Sequence, residues 1–205
     1  IDIVEADNIN AISLETYNVI VLTDGFYSMG TGAMDKISEW VSSGGRLVAI
    51  GSAINRLSGK AGFGIESLGN PEPDTSDKEP PVHRPEPYAG SERSSMAEDI
   101  PGSIFQTTLD TTHPLCFGLG ESYWTMKSTT SNYKWLKEGG NAIYLDDSPR
   151  YYGFAGYKAL EKTKNTLIAG QEDIGSGSVV YFVDNPMFRS FWNSGKVLFS
   201  NALFF

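Results

Sequence analysis

Apolar residues in this chain fall in short runs punctuated by glycine, acid and proline. Residues 17–24, Tyr-Asn-Val-Ile-Val-Leu-Thr-Asp, are apolar at successive positions and end in an acid before Gly25. A strand with one wet face alternates. A run without alternation predicts a strand covered on both faces, as in a parallel sheet. Beyond the glycine-rich turn Met29-Gly30-Thr31-Gly32, the residues Ala33, Ile37, Trp40 and Val41 recur at helical spacing, and Gly44-Gly45 follow them. That pattern predicts a helix with a left-handed end. Residues 46–50, Arg-Leu-Val-Ala-Ile, predict the next strand. Strand, helix and strand within about 35 residues make a βαβ unit, with a right-handed crossover. Residues 1–4, Ile-Asp-Ile-Val, also read as a strand. A chain that opens inside a strand is expected to be an ordered fragment of a longer protein, so the missing leader says nothing of its destination.

The middle of the chain breaks this rhythm. Seven of the ten prolines lie within residues 70–101: Pro71, Pro73, Pro80, Pro81, Pro85, Pro87 and Pro101. This density predicts neither helix nor central strand over an insertion at about 70–102. A loop of that length is either disordered or a lid or docking arm. Alternation resumes in residues 103–109, and 122–126 and 141–145 are further strand candidates, with a short helix over 157–164. Residues 166–170 and 178–183 predict a hairpin turning at Gly175-Ser176-Gly177. Pro186 then suits the first turn of a helix over 187–205, whose apolar end is expected to dock on the sheet. The sum is one α/β domain over residues 1–205, an open, largely parallel sheet with helices on both faces and a late antiparallel hairpin.

Composition narrows the function. Hydrophobic residues make up 40% of the 205, so a packed core is expected, and no apolar run approaches the roughly 20 residues of a membrane span. The formal net charge is -9, which disfavours nucleic acid as a partner in the absence of a basic patch. Lys158, Lys162 and Lys164 do not make one, because Glu161 interrupts them and the group reads as a solvated helix face. The single cysteine, Cys116, excludes an internal disulfide and reads as a buried, inert thiol.

The chemistry-bearing residues are few. The two histidines, His83 and His113, sit in no zinc-binding pattern, so no metal or other cofactor is expected in this chain. The acid pairs Asp146-Asp147 and Glu172-Asp173 read as solvated turns. Ser52, in Ile50-Gly51-Ser52-Ala53-Ile54, stands where α/β hydrolases put a nucleophile, but without the flanking glycines. Its only ordered candidate base is His113, whose Asp110-Thr-Thr-His113-Pro context looks like a turn. Ser52 as a helix N-cap is the simpler expectation. Gly30-Thr31-Gly32 could hold an anion at a helix start but lacks the phosphate-loop lysine. In open parallel sheets ligands bind beyond the strands' carboxyl ends, which here carry Asp24, Tyr27, Ser52, Asn55, Asp184 and Arg189. A small-ligand site there and a serine hydrolase using Ser52 are the two readings the residues themselves leave open.

Residues 17–25, 40–45 and 46–52 resemble class I glutamine amidotransferase-like domains. Ile100-Pro-Gly-Ser-Ile-Phe105, Asp110-Thr-Thr-His-Pro-Leu115 and Val183-Asp-Asn-Pro-Met-Phe-Arg189 look like the C-terminal domain of that type in bacterial zinc carboxypeptidases. The resemblance implies a three-layer, flavodoxin-like fold and a non-catalytic accessory domain. Its partner would be the catalytic peptidase domain of the same polypeptide, with zinc held there and the whole secreted or periplasmic. Active amidotransferases carry a cysteine at the elbow and a late His-x-Glu. Here the elbow is Gly51-Ser52 and the late strand reads Gly170-Gln171-Glu172, so glutamine hydrolysis is not expected.

Overall fold

The structure, a computed structural model, describes residues 1–69 and 88–205. These contain strands β1 (Val19–Leu22), β2 (Arg46–Ile50), β3 (Gly102–Leu109), β4 (Tyr123–Lys127), β5 (Gly140–Leu145), β6 (Tyr151–Phe154), β7 (Thr166–Ile174) and β8 (Gly177–Phe182). The helices are α1 (Ala33–Ser42), α2 (Tyr88–Ala97), α3 (Tyr157–Thr163) and α4 (Asn193–Phe204). One sheet runs in the order β1-β2-β8-β7-β5-β3-β4, with β6 also paired to β3.

The sheet is mixed, not largely parallel. Only β1 with β2 and β2 with β8 pair in parallel. The remaining pairings, from β8–β7 onward, are antiparallel. The reason is in the connections: parallel neighbours need a long crossover, normally a helix. One such helix, α1, joins β1 to β2, which pair in parallel, whereas β7 and β8 are joined by a tight turn at Gly175 and pair antiparallel. The sheet also curls into a half-barrel. Thr125 on β4, at the far end of the strand order, hydrogen-bonds Asp184 just after β8, and Trp192 Nε1 donates to the Trp124 carbonyl at 2.7 Å.

Alternate residues of the central strands feed two apolar clusters. Leu47, Ala49, Val179 and Tyr181 pack with Ile37, Trp40 and Val41 of α1. Val48, Ile50, Val180 and Phe182 pack with Ala159 of α3 and with Leu198 and Ala202 of α4. The run apolar at every position is therefore explained by burial on both faces. The predicted hairpin forms, with Ile174 opposite Gly177 and Gly175 left-handed at φ +62°.

Four local expectations need correction. Residues 1–4 form no strand, and Ile1 and Ile3 are fully exposed. Proline does not silence the whole of 70–102: α2 begins directly after Pro87, in a stretch without proline. The remaining prolines of that segment, except Pro101, and His83 lie outside the described residues. The last helix does not run through 187–205. A short 3-10 turn, Phe188–Ser190, comes first, with Arg189 and Ser190 left-handed, and α4 starts at Asn193. Finally, β6 was not expected from the sequence at all. Cys116 is buried as expected; burial pushes its thiol up to about 11. No helix of the described residues is long and apolar enough to cross a membrane.

Candidate functional site at the carboxyl ends of the parallel strands

β1, β2 and β8 end side by side, and the chain leaving each supplies one polar residue: Asp24, Ser52 and Asp184. Gly51 makes the first contact possible. Its backbone is left-handed at φ +58°, and a Cβ there would stand 2.5 Å from Asp24 Oδ1. Glycine lets the two turns close. The Ser52 N–H then donates to Asp24 Oδ1 at 2.9 Å. The Ser52 hydroxyl lies 2.8 Å from the same oxygen and 3.0 Å from the Gly25 carbonyl, and it accepts the Gly25 N–H at 2.9 Å. Ser52 is thus not an N-cap of the 3-10 helix Gly51–Arg56 that it enters, which has no side-chain cap. It ties two strand-end loops together.

Asp184 sits deeper. Its carboxylate accepts from Thr125 Oγ1 at 2.9 Å and lies 3.6 Å from Lys127 Nζ. Lys127 is wholly buried, and its ammonium also donates to the Ser131 carbonyl at 2.8 Å. Burial pushes the Asp184 carboxyl above the usual carboxylate range; Lys127 and Thr125 pull it back, and the nearby Asp24 charge adds to the rise. Burial and the Asp184 charge likewise raise the Tyr123 phenol, one alternation along β4 from Thr125.

The structure therefore joins Asp24 to Ser52, and the Asp24 charge reaches both Asp184 and the Tyr27 phenol, whose value burial and that charge raise; Asn55 and Arg189 are engaged elsewhere. Asn55 is exposed, and its Oδ1 accepts the Tyr133 hydroxyl at 2.6 Å. Tyr27 lies under the Arg56 guanidinium, 4.8 Å from its ring centre. Arg189 is exposed, 5.3 Å over the Phe188 ring, and no hydrogen bond joins it to Asp24 or Asp184. Lys127 and Thr125 were missed. Their signal lay in Tyr123-Trp-Thr-Met-Lys127: alternation puts Tyr123, Thr125 and Lys127 on one face, and all three are buried. A strand taken to end at 126 stops one residue short of the charge.

No base stands ready for Ser52. His113 Nδ1 accepts the Leu115 N–H at 3.2 Å, capping the 3-10 turn Pro114–Cys116. Its Nε2 packs so closely on Gly140 that a Cβ there would lie 2.3 Å away. Burial holds this imidazole below its ordinary value. Gly30-Thr31-Gly32 is engaged by Asn10, whose side-chain amide donates to the Thr31 carbonyl. Glu172 is no solvated turn residue: it is buried on β7, accepting the Gly64 N–H at 2.9 and 3.1 Å and the Tyr181 hydroxyl. Among the described residues, no three of His, Cys, Asp and Glu converge as metal ligands would.

No family model matches the chain, and no curated protein does. Solved structures do resemble it. The cytoplasmic protein STM3548 of Salmonella typhimurium superimposes with a TM-score of 0.50 at 14% identity, over 98% of this chain and 75% of that one. A ThuA-like protein of Bacteroides uniformis gives 0.49 at 14%, over 93% and 69%. Another, of Parabacteroides merdae, gives 0.46 at 13%, over 84% and 61%. The first of these is a likeness of fold. These findings correct the family resemblance drawn from the sequence. Neither a zinc carboxypeptidase domain nor an accessory role beside one has support, and the chain is similar in fold to this Salmonella protein, with ThuA-like proteins among its other structural neighbours.

Proposed function

We propose that this domain binds a small polar molecule at the carboxyl ends of β1, β2 and β8 and performs no hydrolysis there. This reading treats the parallel part of the sheet as the doubly wound, flavodoxin-like kind, in which ligands lodge beyond the strand ends. The observation that carries it is the Asp24–Ser52 junction at the strand ends, with Asp24 near enough for its charge to reach the buried Lys127–Asp184 pair. A buried ion pair adds little to stability over an apolar substitute, so charge placed there points to a site. The Ser52 hydroxyl is committed to Asp24 and Gly25, which argues against a nucleophile. Asp24 is exposed and gives only Oδ1 to Ser52, leaving Oδ2 to accept from a ligand. The ligand is therefore a hydrogen-bond donor, a polyol or an amine.

Titration with a panel of polyols and primary amines, followed by calorimetry, tests this. At least one should bind, and Asp24→Asn should weaken it about tenfold, the loss of a charge-assisted hydrogen bond. No binder in the panel, equal binding by Asp24→Asn, or an esterase activity that Ser52→Ala abolishes would each overturn the reading.

A further inference from the structure

The turn that follows β3 holds α4 in place. Asn201, buried on α4, donates from Nδ2 to the Leu115 carbonyl at 2.9 Å and to the Phe117 carbonyl at 2.7 Å. The Phe117 ring meets that of Phe205 edge to face at 5.9 Å. Gly118, left-handed at φ +76°, lies against Val197, 3.4 Å from where its Cβ would stand. The carbonyls that Asn201 grips belong to the 3-10 turn Pro114–Cys116 and the residue after it. The first N–H of that turn, from Leu115, ends on His113 Nδ1.

A ring nitrogen is a conditional acceptor. Caps are ordinarily hydroxyl, amide or carboxylate oxygens, which go on accepting across the neutral range. Imidazole accepts at a nitrogen only while that nitrogen carries no proton, and in the imidazolium both nitrogens donate. With Nδ1 accepting, the proton of the neutral ring sits on Nε2, beside Gly140 of β5. A second proton has only Nδ1 to go to, where it would point at the Leu115 N–H. The surroundings do little to hold the cation. β5 brings Gly140 and no charged side chain. The one charged residue of α4, Lys196, is exposed and directed at Asn193 Oδ1. The Cys116 thiol, pushed up to about 11, stays neutral. Asp110, on the same turn, attracts an imidazolium, but burial outweighs it.

We propose that His113 is an acid-sensitive latch on α4. On protonation its ring gives up the Leu115 N–H, the Pro114–Cys116 turn opens, and the C-terminal half of α4 loosens from the sheet. The direction follows from linkage. A ring held below the ordinary 6.5 takes its proton more readily once the turn has opened. The latch is therefore closed above that pH and weakens as pH falls below it. The device is separate from the crevice at the strand ends, and neither proposal depends on the other.

Amide hydrogen exchange of the whole chain at pH 7.5 and pH 5 tests this, with each rate divided by that of an unstructured peptide at the same pH. Protection at Leu115 and at 198–202 should fall about fivefold or more in acid, the loss of one cap hydrogen bond. His113→Asn keeps an accepting oxygen that does not titrate, so its protection there should be the same at both pH values. His113→Ala has no cap and should be poorly protected at both. A proton resonance titration of the His113 ring in the natural chain needs no variant. Its midpoint should lie below 6.5, and the Leu115 amide should move with the same midpoint. The proposal is overturned if the natural chain protects 198–202 equally at both pH values. It is overturned too if His113→Asn loses as much in acid as the natural chain, which assigns the effect to carboxyls elsewhere. A ring that titrates at or above 6.5, or a Leu115 amide indifferent to it, overturns it as well.

Discussion

The parallel and antiparallel halves of the sheet solve burial in opposite ways. In β1, β2 and β8 the strand bodies are apolar, and polar chemistry waits until the chain leaves the sheet, at Asp24, Ser52 and Asp184. In β3 and β4 the inward face itself carries buried polar side chains: Ser103, Thr107, Thr125 and Lys127. The outward face carries Tyr152 and Phe154 of β6, both exposed, with Trp124 5.5 Å from Tyr152. The half-barrel curl makes the two halves complementary. The antiparallel half delivers a cation and a hydroxyl to an acid that the parallel half leaves at its end. The polar lining of one half is thus matched to the site of the other.

Removing that cation is the severest way to break the comparison. Lys127→Ala leaves Asp184 buried and ionisable beside one hydroxyl, a state that costs about 3–5 kcal/mol. Urea unfolding is the measure. Lys127→Met with Asp184→Leu should recover most of the loss, since an apolar pair of similar size has no charge to desolvate. If Lys127→Ala unfolds like a surface lysine variant, the halves are not coupled through this pair.

A gentler test lies at the seam between the halves. Glu172 on β7 is also buried, but its partners are neutral, the Gly64 N–H and the Tyr181 hydroxyl of β8. Gly64 leaves the room: a Cβ there would stand 2.3 Å from Glu172 Oε2. Tyr181→Phe removes one donor from a buried carboxylate and should cost about 1–3 kcal/mol. Glu172 has a second donor in place, so the loss should stay below that of Lys127→Ala. An equal or larger loss would move the weight of the fold from the curl to the seam.

The same division decides what could be read from the residues. The strands of the parallel half announce themselves, because burial on both faces writes an unbroken apolar run. α1 does so through its stripe and Gly44-Gly45. The antiparallel half was mistaken for more of the same. Its strands were found at 103–109, 122–126 and 141–145, but their direction depends on long-range pairings that a local pattern does not carry, such as β5 with β7 across α3, and the curl is marked by the contact between Thr125 and Asp184, 59 residues apart. Residues 1–4 have strand propensity, but no strand among the described residues pairs with them. β6 was missed because Gly153 interrupts a four-residue strand. Of the site, Asp24, Ser52 and Asp184 follow from topology alone. Lys127 needed the register of a strand whose buried face is polar, and Arg189 was misplaced because a left-handed turn separates it from α4.

The smallest effect is expected where the chain lies at the surface. Glu66 accepts from Lys134 at 2.9 Å and Lys137 at 2.6 Å, next to the isolated bridge between Ser67 and Tyr133. Lys137 first and then Lys134 hold its carboxyl at about 2, below the ordinary 4.5. A carboxyl lowered by folding releases its proton more readily in the native state, so it contributes stability above its ordinary value. That contribution fades as pH falls from about 4.5 through about 2. Acid unfolding should therefore be shallower over this window in Glu66→Gln than in the natural chain. Because all three side chains meet water, salt screens the attraction, and high ionic strength should erase most of the difference. The buried pair of Lys127 and Asp184 is out of reach of that screening. A salt dependence in Lys127→Ala as large as in Glu66→Gln would mean that water enters the curl, and that the two halves do not enclose their shared charge.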